Sequence, residues 1–166
     1  MSDEKKGTLR AAAMVISDRS YRGEREDMSG PVLLEELEKA GYEVEESLLL
    51  PDEKEMIKKE LIRLCDTVKP DVIFTSGGTG FSKRDVTPEA SLEIADRNAP
   101  GIAEALRAQS MLITPRAMFS RAVSVIRGDT LIVNLPGSPK AVRETLGYLL
   151  PHLEHGLMIL KGEADG

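Results

Sequence analysis

The sequence predicts an α/β protein of three layers, with helices on both faces of a largely parallel sheet and an antiparallel hairpin at one edge. Three observations carry this. Short apolar runs alternate along the chain with stretches of helical periodicity. The pairs Thr87-Pro88 and Ser138-Pro139 each place a capping residue and a helix-opening proline after such a run. Near the C-terminal third, AVSVI and TLIVNL flank the tight turn Arg127-Gly128-Asp129.

In chain order, TLRAAAMVIS (8–17) reads as a buried strand ending in Ser17-Asp18-Arg19, and the polar stretch SYRGEREDMSG reads as a loop. Pro31 opens a helix that runs through Ala40 and stops at Gly41. YEVEESLLL (42–50) is the second strand. Residues 52–66 show helical spacing of Met56, Ile57, Leu61, Leu64 and Cys65. PDVIFTS (70–76) is the third strand, and glycines follow it at once. Thr87 is expected as the N-cap of the next helix, with Pro88 first and Glu89 at the positive end of the dipole. A helix-rich stretch then continues to about Ser110. After the hairpin, Ser138-Pro139 starts the last helical region, which Pro151 is expected to kink or split.

The 166 residues fit one domain, 1–166, large enough to bury a substantial core. With 41% hydrophobic and 30% charged residues the chain is globular rather than disordered, and no apolar run approaches the roughly 18–20 residues that cross a bilayer. The polar start, MSDEKKGTLR, carries no apolar leader, which predicts a cytoplasmic protein without membrane partners. A formal charge of −6 makes generic nucleic-acid binding a poor expectation, because that affinity comes from neutralising phosphates. Any phosphate ligand must be held by a local device. The lone Cys65 excludes an internal disulfide, and its helical apolar spacing makes it a core thiol.

Ligands of parallel sheets bind at the carboxyl ends of strands, so the loops SDR, PDE, SGGTGFSKRD and PGSPK are the places for chemistry. The glycine loop is not a P-loop, since counting from Gly77 puts Ser82 where the second glycine belongs. Nor is it a dinucleotide fingerprint, because Lys83 stands at the third glycine position. It keeps the physics of an anion cradle: Gly77, Gly78, Thr79 and Gly80 can turn successive N–H groups into one concavity. A plain tight turn is equally compatible with GGTG, and Lys83-Arg84 with a solvated pair. Asp52, three residues before Glu55, fits a capping box. Asp85 precedes the Thr87 cap and is not needed for capping. Ser17 and Asp18 read as turn residues, and Ser138 as a helix cap beside Gly137, a suitable anion seat. His152 and His155 fall far along the chain from these loops. No nucleophile triad is visible, and covalent catalysis is not expected.

Together, TSGGTGFSKRDVTPEA, NLPGSPKAV, LPDE and the ISDR that ends the first strand closely resemble the Mog/MoaB proteins of molybdenum-cofactor biosynthesis and the G domains of relatives such as gephyrin. The resemblance runs from about residue 8 to 160, with its motifs in the family's order. It implies a molybdopterin-binding fold and a molybdopterin adenylyltransferase, which joins molybdopterin and ATP into adenylylated molybdopterin and pyrophosphate. It also implies dependence on Mg²⁺, a homotrimer, and other proteins of molybdenum-cofactor biosynthesis as partners. The family's two important aspartates fall on Asp52 and Asp85, which become the catalytic and Mg²⁺-ligating candidates. The matching substrate- and nucleotide-binding candidates are Ser17, Asp18, Ser76, Gly77, Gly78, Thr79, Gly80, Lys83, Arg84, Glu89, Pro136, Gly137 and Ser138. A non-catalytic molybdopterin-binding or scaffold protein, and a nucleotide hydrolase on the same fold, remain as alternatives.

Overall fold

A computed structural model describes residues 7–166. Six strands form one sheet in the order β2-β1-β3-β6-β5-β4. They are β1 (Arg10–Ile16), β2 (Glu43–Leu50), β3 (Val72–Ser76), β4 (Arg97–Asn98), β5 (Ser124–Arg127) and β6 (Thr130–Leu135). The first four in that order are parallel, while β5 and β4 add an antiparallel edge. Gly128, at φ +58°, takes the first central position of the two-residue β5–β6 turn, where the right-handed sheet twist favours a positive φ.

Alternating side chains of β1, β3 and β6 feed two separate cores. Ala11, Ala13, Val72, Phe74, Leu131 and Val133 face one side, covered by α2 (Ser29–Lys39), α5 (Pro100–Met111) and α6 (Pro139–Leu160). Ala12, Met14, Ile73 and Ile132 face the other, covered by α3 (Lys54–Arg63) and α4 (Thr87–Glu93). This is the expected three-layer arrangement. Burial on both faces explains why these strands read as continuous apolar runs rather than alternating ones. A one-turn helix, α1 (Asp18–Tyr21), interrupts the stretch read as a polar loop. Cys65 lies in a π-helical turn, Leu64–Val68, that closes α3; burial pushes its thiol up to about 12, so it stays inert in the core. Among the described residues no helix is long and apolar enough to cross a membrane.

Four local expectations need correction. Thr87 does not cap α4: the helix begins at Thr87 itself, whose N–H donates to Gly78 O at 3.1 Å while its hydroxyl has no partner among the described residues. Asp52 does not cap α3, since Glu53 holds the cap position without a side-chain bond. Helix α2 starts at Ser29, ahead of Pro31, because Asp27 Oδ1 accepts from the N–H groups of Ser29 and Gly30. Pro151 does not split α6, which runs unbroken for 22 residues. Leu146, Leu149, Leu153 and Leu157 hold that helix on the sheet, while Gly147, whose carbonyl loses its partner, lies on the exposed face.

All four parallel strands end on the same edge, and the chain leaves β1 in one direction and re-enters at β3 on its other side. The crevice between these strand ends is the topological switch point. Glycine makes the closing of that edge possible. Gly77 sits at φ +101°, and a β-carbon there would lie 2.3 Å from the carbonyl oxygen of Ile16. Gly77→Ala is therefore expected to lower stability by roughly 2–4 kcal/mol, combining left-handed strain with a backbone clash. Gly147→Ala, with nothing within 4 Å of the added atom, should instead gain about 0.5–1 kcal/mol. Urea unfolding of the two variants against the wild type measures both.

Candidate active site

The loops that leave β1, β2, β3 and β6 enclose a cleft of about 670 Å³. Ser17 accepts a hydrogen bond from Ser20 N, so the first loop turns immediately into α1 and presents Asp18 in its first turn. Asp18 and Asp52 then lock two strand ends together. Asp18 N donates to Asp52 Oδ2 at 2.9 Å, and Asp52 N donates to Asp18 Oδ1 at 2.9 Å. The carboxylate that looked like a helix cap serves as one half of a reciprocal latch, 34 residues from its partner.

Arg84 reaches across from the glycine loop. Its Nε and Nη2 donate to Asp18 at 3.0 and 3.1 Å, and Nη2 also donates to Glu53 Oε1 at 2.8 Å. This fork holds the Asp18 carboxyl below its ordinary range. Asp52 moves the other way: burial pushes its carboxyl up, and the neighbouring charges of Asp18 and Asp85 add to that. Asp85 accepts from Ser82 N at 3.0 Å, which folds the loop tip back on itself. Asp52 Oδ1 lies 3.0 Å from the place a β-carbon of Gly78 would occupy, and Asp85 Oδ2 lies 3.0 Å from that of Gly80. Both carboxylates therefore stand directly against the glycine loop.

The loop has the form of an anion cradle. Gly77 and Gly78 have φ of +101° and +68°. Among the described residues, no hydrogen bond occupies the backbone N–H of Gly78, Thr79, Gly80 or Phe81. Opposite it, Ser138 Oγ accepts from Ala141 N and caps α6, as its sequence context predicts. The start of that 22-residue helix adds the positive end of its dipole, but among its first N–H groups only that of Lys140 is unoccupied, since Pro139 has none and those of Ala141 and Val142 are bonded to Ser138. Ser76 donates to Pro136 O at 2.8 Å and Ser29 to Gly137 O at 2.6 Å, fixing the β6–α6 turn against the sheet.

Of the candidate residues, Ser17, Asp18, Asp52, Ser76, Gly77, Gly78, Arg84, Asp85, Gly137 and Ser138 all line this cleft. Thr79 and Pro136 line an adjoining cavity of about 260 Å³, which shares Gly137 with the first and is walled by α5, the segment 113–122 and the start of α6. Gly80 and the exposed Lys83 line neither cavity, and Glu89, which also lines neither, is drawn into an ion pair with Arg121. The cleft also contains Arg22 and Arg25, which the sequence did not single out. Their only signal was a basic spacing inside a polar stretch that reads equally well as a surface loop.

Known proteins resemble the chain in sequence and in fold. The model of a family described as a probable molybdopterin binding domain matches residues 12–155. The chain is 44% identical over 142 residues to the molybdopterin adenylyltransferase of Escherichia coli K12, covering 84% of this chain and 72% of that one. It is 35% identical over 162 residues to the enzyme of that name from Helicobacter pylori J99, covering 93% and 89%. The crystal structure of the molybdopterin biosynthesis enzyme MoaB from Thermus thermophilus superimposes with a TM-score of 0.88 at 45% identity, covering 93% of this chain and 97% of that one. The chain thus shares its fold with these proteins and belongs to the molybdopterin-binding domain family.

Proposed function

We propose that this protein is a molybdopterin adenylyltransferase, carrying AMP from ATP to the terminal phosphate of molybdopterin. The observation that carries the reading is the convergence, on one cleft, of the glycine loop at Gly77 and Gly78, the start of α6 and two carboxylates. Relatives named for this activity are 35–44% identical to the chain. An oxygen of the molybdopterin phosphate attacks the α-phosphorus of ATP, the bond from that phosphorus to the β-phosphate bridge breaks, and pyrophosphate leaves with the bridging oxygen. The attacking monoester has a second pKa of about 6 and is mostly ionised at neutral pH. No general base is required, consistent with a site that contains no histidine.

What the protein must supply is alignment of two polyanions and compensation of their charge. The N–H groups of the loop and the positive end of the α6 dipole supply fixed dipoles without adding charge. Arg84 is already committed to Asp18 and Glu53, so it shapes the cleft wall more than it draws phosphate. The larger cleft accommodates the phosphates, and the adjoining cavity suits one of the two ring systems.

The residues fit Mg²⁺ held jointly with substrate. Among the described residues no cluster of three metal-binding side chains exists, yet Asp52 keeps its Oδ1 free of hydrogen bonds beside Gly78, while Asp85, whose Oδ2 beside Gly80 accepts from Ser82 N, keeps its other oxygen free. Mg²⁺ commonly takes one or two carboxylates and completes its shell with water and phosphate oxygens. Bound there, it would neutralise phosphate charge. Asp52 and Asp85 would hold it, and without a cation they would repel the substrate.

Pyrophosphate release separates the readings. The transferase needs both ATP and molybdopterin, a hydrolase needs nucleotide alone, and a scaffold releases none. Asp85→Asn should reduce turnover by roughly a hundredfold or more while molybdopterin binding stays within several-fold; unchanged turnover would remove Asp85 from the chemistry.

Asp52 gives a test by stability. Its folded carboxyl titrates above its ordinary value because its charge is buried. The folded state therefore holds that proton more tightly than the unfolded chain does. The ionised group weighs against folding above the raised value, and this penalty fades as pH falls through it towards the ordinary 3.8. Asp52→Asn keeps an acceptor for Asp18 N and removes the charge. It should melt higher than wild type at neutral pH, the difference shrinking on acidification, and it should lose turnover. Scanning calorimetry across pH gives the first result and the pyrophosphate assay the second.

The homotrimer and the cytoplasmic setting belong to the same proposal. Phe81, Leu112, Ile113, Met118 and Phe119 leave large apolar side chains in solvent along the loop tip and the segment after α5, a surface suited to self-association. Light scattering should give a mass near three chains of 18.1 kDa; a monomer at micromolar concentration would contradict the assembly.

A further inference from the structure

Arg121 stands 36 residues beyond Asp85, in the connection that leads into β5, and does not line the phosphate cleft. Its contacts nevertheless concentrate on the loop that forms the cradle. Its backbone N–H donates to Thr79 O at 2.7 Å, its Nε to Gly80 O at 2.8 Å and its Nη2 to Asp85 O at 2.8 Å. Nη1 donates to Glu89 Oε1, an ion pair that compensates the guanidinium charge. Two residues earlier, Phe119 packs edge-to-face on Phe81 at the loop tip, with ring centroids 5.3 Å apart.

In a trans peptide the carbonyl and the following N–H point in opposite directions. Drawing the carbonyls of Thr79, Gly80 and Asp85 towards Arg121 turns the N–H groups of Gly80, Phe81 and Val86 away from it. The glycines that let the loop adopt this shape would equally let it adopt others. Something outside the loop has to select one of them. We infer that Arg121 is a positioning residue that presets the anion cradle from behind, oriented by Glu89, and so acts on phosphate binding and turnover without touching substrate.

This rests on the transferase reading for its turnover arm and on the cradle alone for its binding arm. A planar fork with donors along two edges can reach two separate carbonyls and a carboxylate at once, whereas an ammonium cannot. Arg121→Lys keeps the charge and loses most of that reach.

The test measures binding of inorganic pyrophosphate by titration calorimetry, turnover by pyrophosphate release, and Tm, in wild type, Arg121→Ala and Arg121→Lys. Arg121→Ala should weaken pyrophosphate binding about tenfold and lower kcat roughly a hundredfold through misplaced donors. Millimolar guanidinium, far below denaturing concentrations, should restore part of both without raising Tm, because the side chain is partly open to solvent. Methylammonium should not. Arg121→Lys should stay impaired, and it carries the test if the alanine variant fails to fold. Wild-type binding and turnover in either variant would overturn the inference. So would losses that follow Tm and ignore guanidinium, or a wild-type protein that binds no pyrophosphate. Pyrophosphate binding without transfer in the wild type would instead count against the transferase alone and leave Arg121 to be judged by binding.

Discussion

The carbonyl oxygen of Ile16 and the Cα of Gly77 occupy a space in which no side chain fits, and the Cα of Gly77 lies 3.4 Å from where Gly137 would carry its own β-carbon. The ends of β1 and β3 can converge only because Gly77 is bare at the crossing, while a β-carbon at Gly137 would meet it at ordinary contact distance. Gly77 N donates to Leu135 O at 3.2 Å, so the approach is also a continuation of the sheet. From it follow the positions of the cradle, of the α6 N-terminus and of both carboxylates. A residue with a β-carbon at 77 would push the third strand end away from the first and open the cleft at its base.

The electrostatics of the cleft solve a problem set by the chain's own charge. A net −6 protein cannot rely on long-range attraction to draw in an anionic substrate. It presents peptide dipoles, which attract anions without contributing net charge, and it keeps its strongest fork, Arg84, tied to Asp18 and Glu53. Asp52 is left with its charge partly buried and its carboxyl titrating high. That arrangement costs stability in the free protein; in the proposed transfer reaction a cation sharing the site would offset it. This is strain of an electrostatic rather than a conformational kind.

What could be read from the sequence was whatever depends on neighbours a few residues apart. The parallel strands, the hairpin turn at Gly128, the Ser138 cap and the glycine loop all follow from such short-range rules, and the motifs that mark the family lie in the same loops. Even short-range rules failed where a longer contact competed. Thr87 lost its capping role because its N–H is taken by Gly78, and Pro151 was overruled by four leucines packed on the sheet.

The functional meaning of several residues was decided only in three dimensions. Asp52 and Asp18 are 34 residues apart, Arg84 and Asp18 are 66 apart, and Arg121 reaches Gly80 across 41. Strand order is what brings them together, since β1 lies between β2 and β3. The sequence by itself determined the elements, the glycines and the carboxylates, because backbone preference and side-chain chemistry are local properties. Tertiary structure alone decided which carboxylate is paired, which is buried and which arginine shapes the loop, because burial and ion pairing depend on what the fold places alongside.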